Sequence, residues 1–227
     1  MGFRVDERAS EFREIDRYDD GVGWIAHPDE RMQRASHALA VDGDVWVVDP
    51  VDAEGLDELL AEFGDVRGVV VLLDRHVRDG ERVANRHDVP VYLPRIFEGV
   101  TDDIDAPVAR FSDELSDSGI EAHVVADNRL WQEVALYDPA TDTLLVPEAL
   151  GTVDYFLAGS ERLGVHPALR PFPPRSTLGR FDPDRVLVGH GAGVHDHVAA
   201  TLEHALEGAR RRTPRLYAKA AREALPF

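Results

Sequence analysis

The chain has 227 residues, of which 44% are hydrophobic, and a formal net charge of −18. This composition is too apolar for a disordered chain, yet no apolar run approaches the roughly 20 residues that a membrane-spanning helix needs. Cysteine is absent, which excludes disulfides and thiolate metal ligands, so any metal has to use His, Asp or Glu. The opening residues contain no apolar stretch typical of a signal peptide, and we therefore expect a cytoplasmic protein without membrane contact.

The charged residues are unusual in kind as well as in number. The 43 acidic residues comprise 26 Asp and 17 Glu, whereas the 25 basic residues comprise 24 Arg and the single Lys219. An ordinary acidic protein from a GC-rich genome would explain the preference for Arg but not the excess of Asp. A dense carboxylate surface repels itself in dilute buffer and is screened by salt, so this surface resembles that of a halophilic, haloarchaeal protein. The same charge argues against a nucleic-acid partner, because affinity for phosphate comes from Lys and Arg.

The first half of the chain predicts a β-hairpin followed by alternating strands and helices. Asp42-Gly43 lies between two β-rich runs and fits a tight turn, since both residues tolerate a positive φ. Asp52 is expected to cap a helix that ends at Gly64. A buried strand within 66–73, a short helix and a strand over 89–93 follow. This alternation predicts parallel strands with helices packed on the sheet.

The second half predicts a return to antiparallel strands before a helical end. Residues 97–118 are acidic and irregular, and strands are expected over 121–126, 131–137, 144–146 and 185–188. The proline-rich segment 166–180 predicts a long surface loop that carries Arg170, Arg175 and Arg180. One helix is expected from about Val194, with a second over 216–224.

Three polar segments directly follow apolar strands, which is where α/β proteins place their sites. The first is Asp-Arg-His-Val-Arg-Asp over 74–79, the second is Pro-Glu ending at Glu148, and the third is Gly-His-Gly centred on His190. A solvated charged loop is the alternative interpretation of 74–79, because 30% of the chain is charged.

The order and spacing of these segments resemble the metallo-β-lactamase fold superfamily. In that superfamily one strand leads into His-x-His-x-Asp-His, a later strand ends in Gly-Asp and a late strand ends in Gly-His. An early strand that ends in Asp is matched here by Asp49. The resemblance covers about residues 20–210. It implies an α/β protein with a four-layer αββα sandwich, a single domain over residues 1–227, and the chemistry of a metal-dependent hydrolase.

The departures from the superfamily pattern concern the metal ligands. Of seven ligand positions only His76 and His190 keep their identity. The remnant metal positions implied by the resemblance are Asp74, His76, Asp79, Glu148 and His190. Arg78 and Arg129 stand where the pattern has ligands, and a guanidinium has no lone pair to give a metal and repels an incoming cation.

These substitutions predict a degenerate metal site without a cofactor, in which the carboxylates pair with Arg78 and Arg129. The expected function is that of a non-catalytic pseudoenzyme that binds a small ligand or a protein partner. The alternative is a mononuclear metal-dependent hydrolase. In that case Asp74, His76, Glu148 and His190 would hold one Zn, Mn or Fe ion.

Overall fold

The computed structural model describes residues 7–97, 99–100 and 104–224, in which the first half of the chain forms a seven-stranded sheet. Its strands lie side by side in chain order. They are β1 (Arg13–Tyr18), β2 (Gly21–Ile25), β3 (Ala35–Val41), β4 (Asp44–Val48), β5 (Asp65–Val70), β6 (Val91–Pro94) and β7 (Val108–Phe111). Strands β1 to β4 are antiparallel, and β4 to β7 are parallel. The predicted β3–β4 hairpin is confirmed, and its turn residues Asp42 and Gly43 have φ values of 53° and 89°.

The second half of the chain forms a four-stranded sheet in the order β13–β10–β9–β8. These strands are β8 (Glu121–Asn128), β9 (Trp131–Asp138), β10 (Thr143–Val146) and β13 (Arg185–Val188). Strands β10 and β13 are parallel, so their carboxyl ends meet at one edge of the sheet. A small two-stranded sheet, β11 (Leu150–Gly151) with β12 (Gly164–Val165), follows β10.

The two large sheets pack face to face, because alternate side chains of each strand point to opposite faces. Trp46 and Val48 of β4 point toward the second sheet and join a core that contains Leu145 of β10 and Leu187 of β13. Val45 and Val47 point the other way, as expected from the period of two. The alternating apolar strands therefore create the central layer of a sandwich.

Helices cover the two outer faces. Helices α1 (Leu56–Ala61) and α2 (Gly80–His87) pack on the first sheet. Helices α3 (Arg175–Leu178) and α4 (Val198–Ala224) pack on the second. The four layers are thus helix, sheet, sheet and helix, as expected from the sequence. Among the described helices, none is both long and apolar enough to cross a membrane.

Four local expectations were wrong or incomplete. Asp52 does not cap α1, whose N-cap is Gly55, because its buried carboxylate binds Arg8 and Arg86 instead. The segment 166–180 contains α3, and the segment 97–118 contains β7. The expected pair of final helices is one helix that continues through Pro214.

Arg170 is likewise misplaced by the sequence analysis. Its side chain is fully buried and is not part of a solvated loop. It forms an ion pair of 2.6 Å with Glu161 and donates to the carbonyl of Val165 over 3.0 Å. A buried arginine needs such partners, which proline and arginine content alone does not reveal.

Candidate metal centre

Three of the predicted site residues meet where the two sheets end. Glu148 follows β10 and His190 follows β13, and the parallel pairing of these strands places both residues at one edge. His76 comes from the loop after β5 in the other sheet. The backbone of that loop is joined to β9, since Asp74 N donates to Gln132 O over 3.1 Å. The site therefore lies at the seam between the sheets.

The three side chains converge on a single carboxylate oxygen. Glu148 Oε2 lies 2.8 Å from His190 Nε2 and 3.1 Å from His76 Nε2. One donor atom from each residue lies within 4.8 Å of the other two. All three residues are buried, so this is an interior cluster and not a patch of surface charge.

The Nδ1 atom of each of these two histidines also has a polar partner. His76 Nδ1 lies 3.1 Å from Asp49 Oδ2, and His190 Nδ1 lies 2.9 Å from the carbonyl oxygen of Met32. Each Nδ1 donates to its acceptor, so Nε2 is the nitrogen that a metal ion would bind in place of the hydrogen bond from Nε2 to Glu148. A carboxylate or carbonyl behind each histidine is the usual arrangement around a metal ligand. Asp49 is itself fixed, because Leu72 N donates to its Oδ1 over 3.0 Å.

A second buried glutamate holds the backbone of Glu148 from behind. Glu133 Oε1 accepts from Glu148 N over 3.0 Å and from Ala149 N over 2.7 Å, while Oε2 accepts from Trp131 Nε1 over 2.6 Å. Burial raises the pKa of Glu133 to about 7, against the effect of these three donors. Glu133 was not among the residues predicted for the site. Its one signal is a charged residue within the apolar strand β9, at a position that faces the core.

The cluster also sets the charge of Glu148. Burial alone would raise the pKa of this carboxyl, but the hydrogen bonds from His190 and His76 hold the pKa well below its usual range. Glu148 is therefore a carboxylate at any physiological pH. An anionic oxygen with two imidazole nitrogens around it is chemically suited to bind a cation.

Comparison with solved structures identifies the architecture around this cluster. The DIM-1 metallo-β-lactamase is 14% identical, with a TM-score of 0.63 over 92% of this chain and 99% of its own. VMB-1 is 12% identical, with a TM-score of 0.63 over 93% and 99%. The metallo-β-lactamase from Pontibacter korlensis is 14% identical, with a TM-score of 0.60 over 88% and 99%. This chain has the metallo-β-lactamase fold. Identities this low show the fold alone, and no protein-family model or curated protein sequence matches the chain.

Arg78, in the segment 74–79 of this metallo-β-lactamase fold, has a structural role. Arg78 has a left-handed backbone, with φ at 48°, and its side chain runs inward. Its Nη1 donates to the carbonyls of Ala35 over 2.6 Å and Asp49 over 2.8 Å, and its Nη2 to Gly189 over 3.3 Å. Nη2 also lies 3.4 Å from His76 Nδ1. Burial lowers the pKa of Arg78 to about 10, which still leaves it a cation at neutral pH.

The other residues predicted for the site are engaged elsewhere. Asp79 accepts from the backbone N–H of Asp52 over 3.0 Å and lies 3.4 Å from Arg82. Asp74 lies 3.1 Å from Arg75. Arg129 is exposed in the turn between β8 and β9. Within the described residues, neither aspartate is found paired with Arg78 or Arg129, so the pairing expected from the sequence is absent there.

The residues present fit one cation and not two. Four tetrahedral donors at roughly 2.0–2.2 Å from one ion lie about 3.4 Å apart. The Nε2 atoms of His190 and His76 lie 2.8 and 3.1 Å from Glu148 Oε2, and one donor atom of each of the three residues lies within 4.8 Å of the other two, so small shifts would bring them around one ion. A second ion beside His76 would meet the guanidinium of Arg78, which has no lone pair to give a metal.

Proposed function

We propose that this chain binds one divalent metal ion through His76, Glu148 and His190 and acts as a binding protein, not as a two-metal hydrolase. The observation that carries this proposal is the position of Arg78. Its guanidinium donates to three backbone carbonyls around the cluster and contacts the ring of His76. A fixed cation there takes the place of a ligand and opposes a second metal ion.

The surrounding residues orient the three donor side chains in the protein without an ion. Asp49 and the carbonyl of Met32 orient the two imidazoles, and Glu133 fixes the backbone that carries Glu148. When bound, the ion supplies positive charge and an open coordination position for a ligand atom. A small anionic molecule or an acidic side chain of a partner protein is the kind of ligand that such a position accepts.

A single-metal hydrolase is the second candidate function. The donor set favours it, because two histidines and one glutamate are one of the ligand sets of catalytic zinc sites that keep a position open. His76, Glu148 and His190 are 8%, 8% and 4% exposed, which limits the access of a substrate and of a bound ligand alike and does not separate the two functions. The two functions differ in whether metal-loaded protein turns over a substrate.

Metal analysis and one activity panel test the proposal. We expect protein incubated with zinc and desalted to hold about one equivalent, which His190→Ala loses and which the exposed His204→Ala retains. Two equivalents, or none in the parent, would overturn the proposal. Zinc-dependent hydrolysis of p-nitrophenyl acetate, bis(p-nitrophenyl) phosphate or a chromogenic β-lactam, lost in His190→Ala, would replace the binding function with the hydrolase.

The surface charge supports a second part of the proposal, which is that the protein is adapted to high salt. Asp-rich, Lys-poor composition at a net charge of −18 favours a protein adapted to the salty cytoplasm of a haloarchaeon. In that setting salt screens the repulsion between carboxylates, which raises stability as the salt concentration rises. The salt titration described in the Discussion tests this part.

A further inference from the structure

A third histidine, His166, faces the oxygen of Glu148 that the cluster leaves free. Its Nε2 lies 3.5 Å from Glu148 Oε1, whereas His76 and His190 both approach Oε2. The distance is longer than a normal hydrogen bond. It nevertheless means that each oxygen of this one carboxylate faces imidazole nitrogen.

The environment of His166 determines which nitrogen carries its proton. Ala168 N donates to His166 Nδ1 over 3.2 Å, so Nδ1 is an acceptor and the neutral ring has its proton on Nε2. A protonated Nε2 has no lone pair to give a metal ion. His166 therefore differs from His76 and His190, whose Nδ1 atoms face acceptors.

The ring of His166 is held in place from several directions. Its backbone N–H donates to Ala149 O over 2.9 Å, which ties the loop to the residue after Glu148. Its ring centroid lies 4.8 Å from Trp131, 5.6 Å from Tyr155 and 5.5 Å from Phe156. Such packing holds Nε2 beside Oε1 and leaves the ring little freedom to turn away.

We propose that His166 is a positioning residue that occupies Glu148 Oε1, so that only Oε2 is offered to the metal ion. A carboxylate can bind a metal through one oxygen or through both. A donor fixed at one oxygen favours binding through the other and leaves a coordination position open for a ligand. This inference rests on the single-metal site proposed above and names a residue outside its three donors.

The test uses cobalt(II), whose visible absorption reports the number of bound ligands, as a replacement ion on the full chain. His166→Phe keeps an aromatic ring among its neighbours but removes the N–H, whereas His166→Gln keeps an N–H near the position of Nε2. The same two substitutions at the exposed His204 serve as controls. Circular dichroism and melting curves establish that every variant is folded.

We expect His166→Phe to weaken cobalt binding by roughly 10-fold, as is typical for residues behind a metal ligand. Its visible absorption should also weaken, because a carboxylate that binds through both oxygens raises the coordination number. His166→Gln should restore both properties. If the Phe variant matches the parent, or if both variants bind weakly with an unchanged spectrum, His166 serves packing alone and the inference is wrong. A parent that binds no cobalt overturns the single-metal site itself, and this inference with it.

Discussion

Glu133 allows a quantitative test of the structure around the site, because its pKa is displaced in a known direction. Burial raises the pKa from 4.5 to about 7 in the folded protein. The folded state therefore binds more protons than the unfolded chain between about pH 4.5 and 7, so the free energy of unfolding falls as the pH rises through this window. At about 1.4 kcal/mol for each pH unit, the loss amounts to about 3 kcal/mol.

The perturbation is Glu133→Gln, which places a neutral amide in the same position. Trp131 Nε1 then faces an amide group, which accepts a hydrogen bond less well than a carboxylate does. The resulting loss in free energy of unfolding does not depend on pH. Relative to the parent, the variant should gain about 3 kcal/mol in free energy of unfolding between pH 4.5 and pH 8. Urea unfolding at one fixed KCl concentration measures this difference. All other ionisable groups are the same in both proteins, so their contributions cancel when the two free energies of unfolding are subtracted.

The control is Glu58→Gln, since Glu58 is exposed on α1. Its stability relative to the parent should stay constant across the same pH range. A constant difference for Glu133→Gln as well would refute the reasoning. It would mean that the three donors around Glu133 fully compensate for its burial and keep the pKa near 4.5.

Two further predictions concern charge. Arg78→Met removes a guanidinium that donates to three buried carbonyls, so it should lower the free energy of unfolding by roughly 3–5 kcal/mol. Arg129→Met, at an exposed turn, should change this free energy by less than about 0.5 kcal/mol. Urea unfolding measures both effects. Equal effects of the two substitutions would contradict the placement of these side chains. The net charge of −18 should make the melting temperature rise steadily from about 0.1 M to molar KCl, and a melting curve indifferent to KCl would show that the acidic surface is not a salt adaptation.

Most strands and turns could be predicted from local pattern, whereas the four-layer sandwich was implied by the resemblance of the polar segments to the superfamily. Asp42-Gly43 between two β-rich runs predicted the hairpin. Errors arose where a distant partner outweighs a local preference. Asp52 looks like a helix cap, but ion pairs with Arg8 and Arg86 hold its carboxylate in the interior.

The candidate site could be predicted in part, for a similar reason. A position just after a strand predicts the edge of the sheet where a residue lies, and this was enough for His76, Glu148 and His190. It does not predict where the side chain points, and Arg129 points to solvent. His166 lies in a proline-rich segment with no local pattern, and only tertiary packing brings it to Glu148.

The connection between the start of β3 and the end of β13 has a consequence for how the protein folds. Ala35 N donates to Gly189 O over 2.9 Å, and the hydrogen bond that His190 Nδ1 donates to Met32 O spans 158 positions of the chain. Closing such a loop costs entropy before any contact repays it, so contacts of this separation form slowly. The large separation along the chain thus slows the closing of the site. A nascent chain cannot complete the cluster of His76, Glu148 and His190 until His190 has been synthesised and docked.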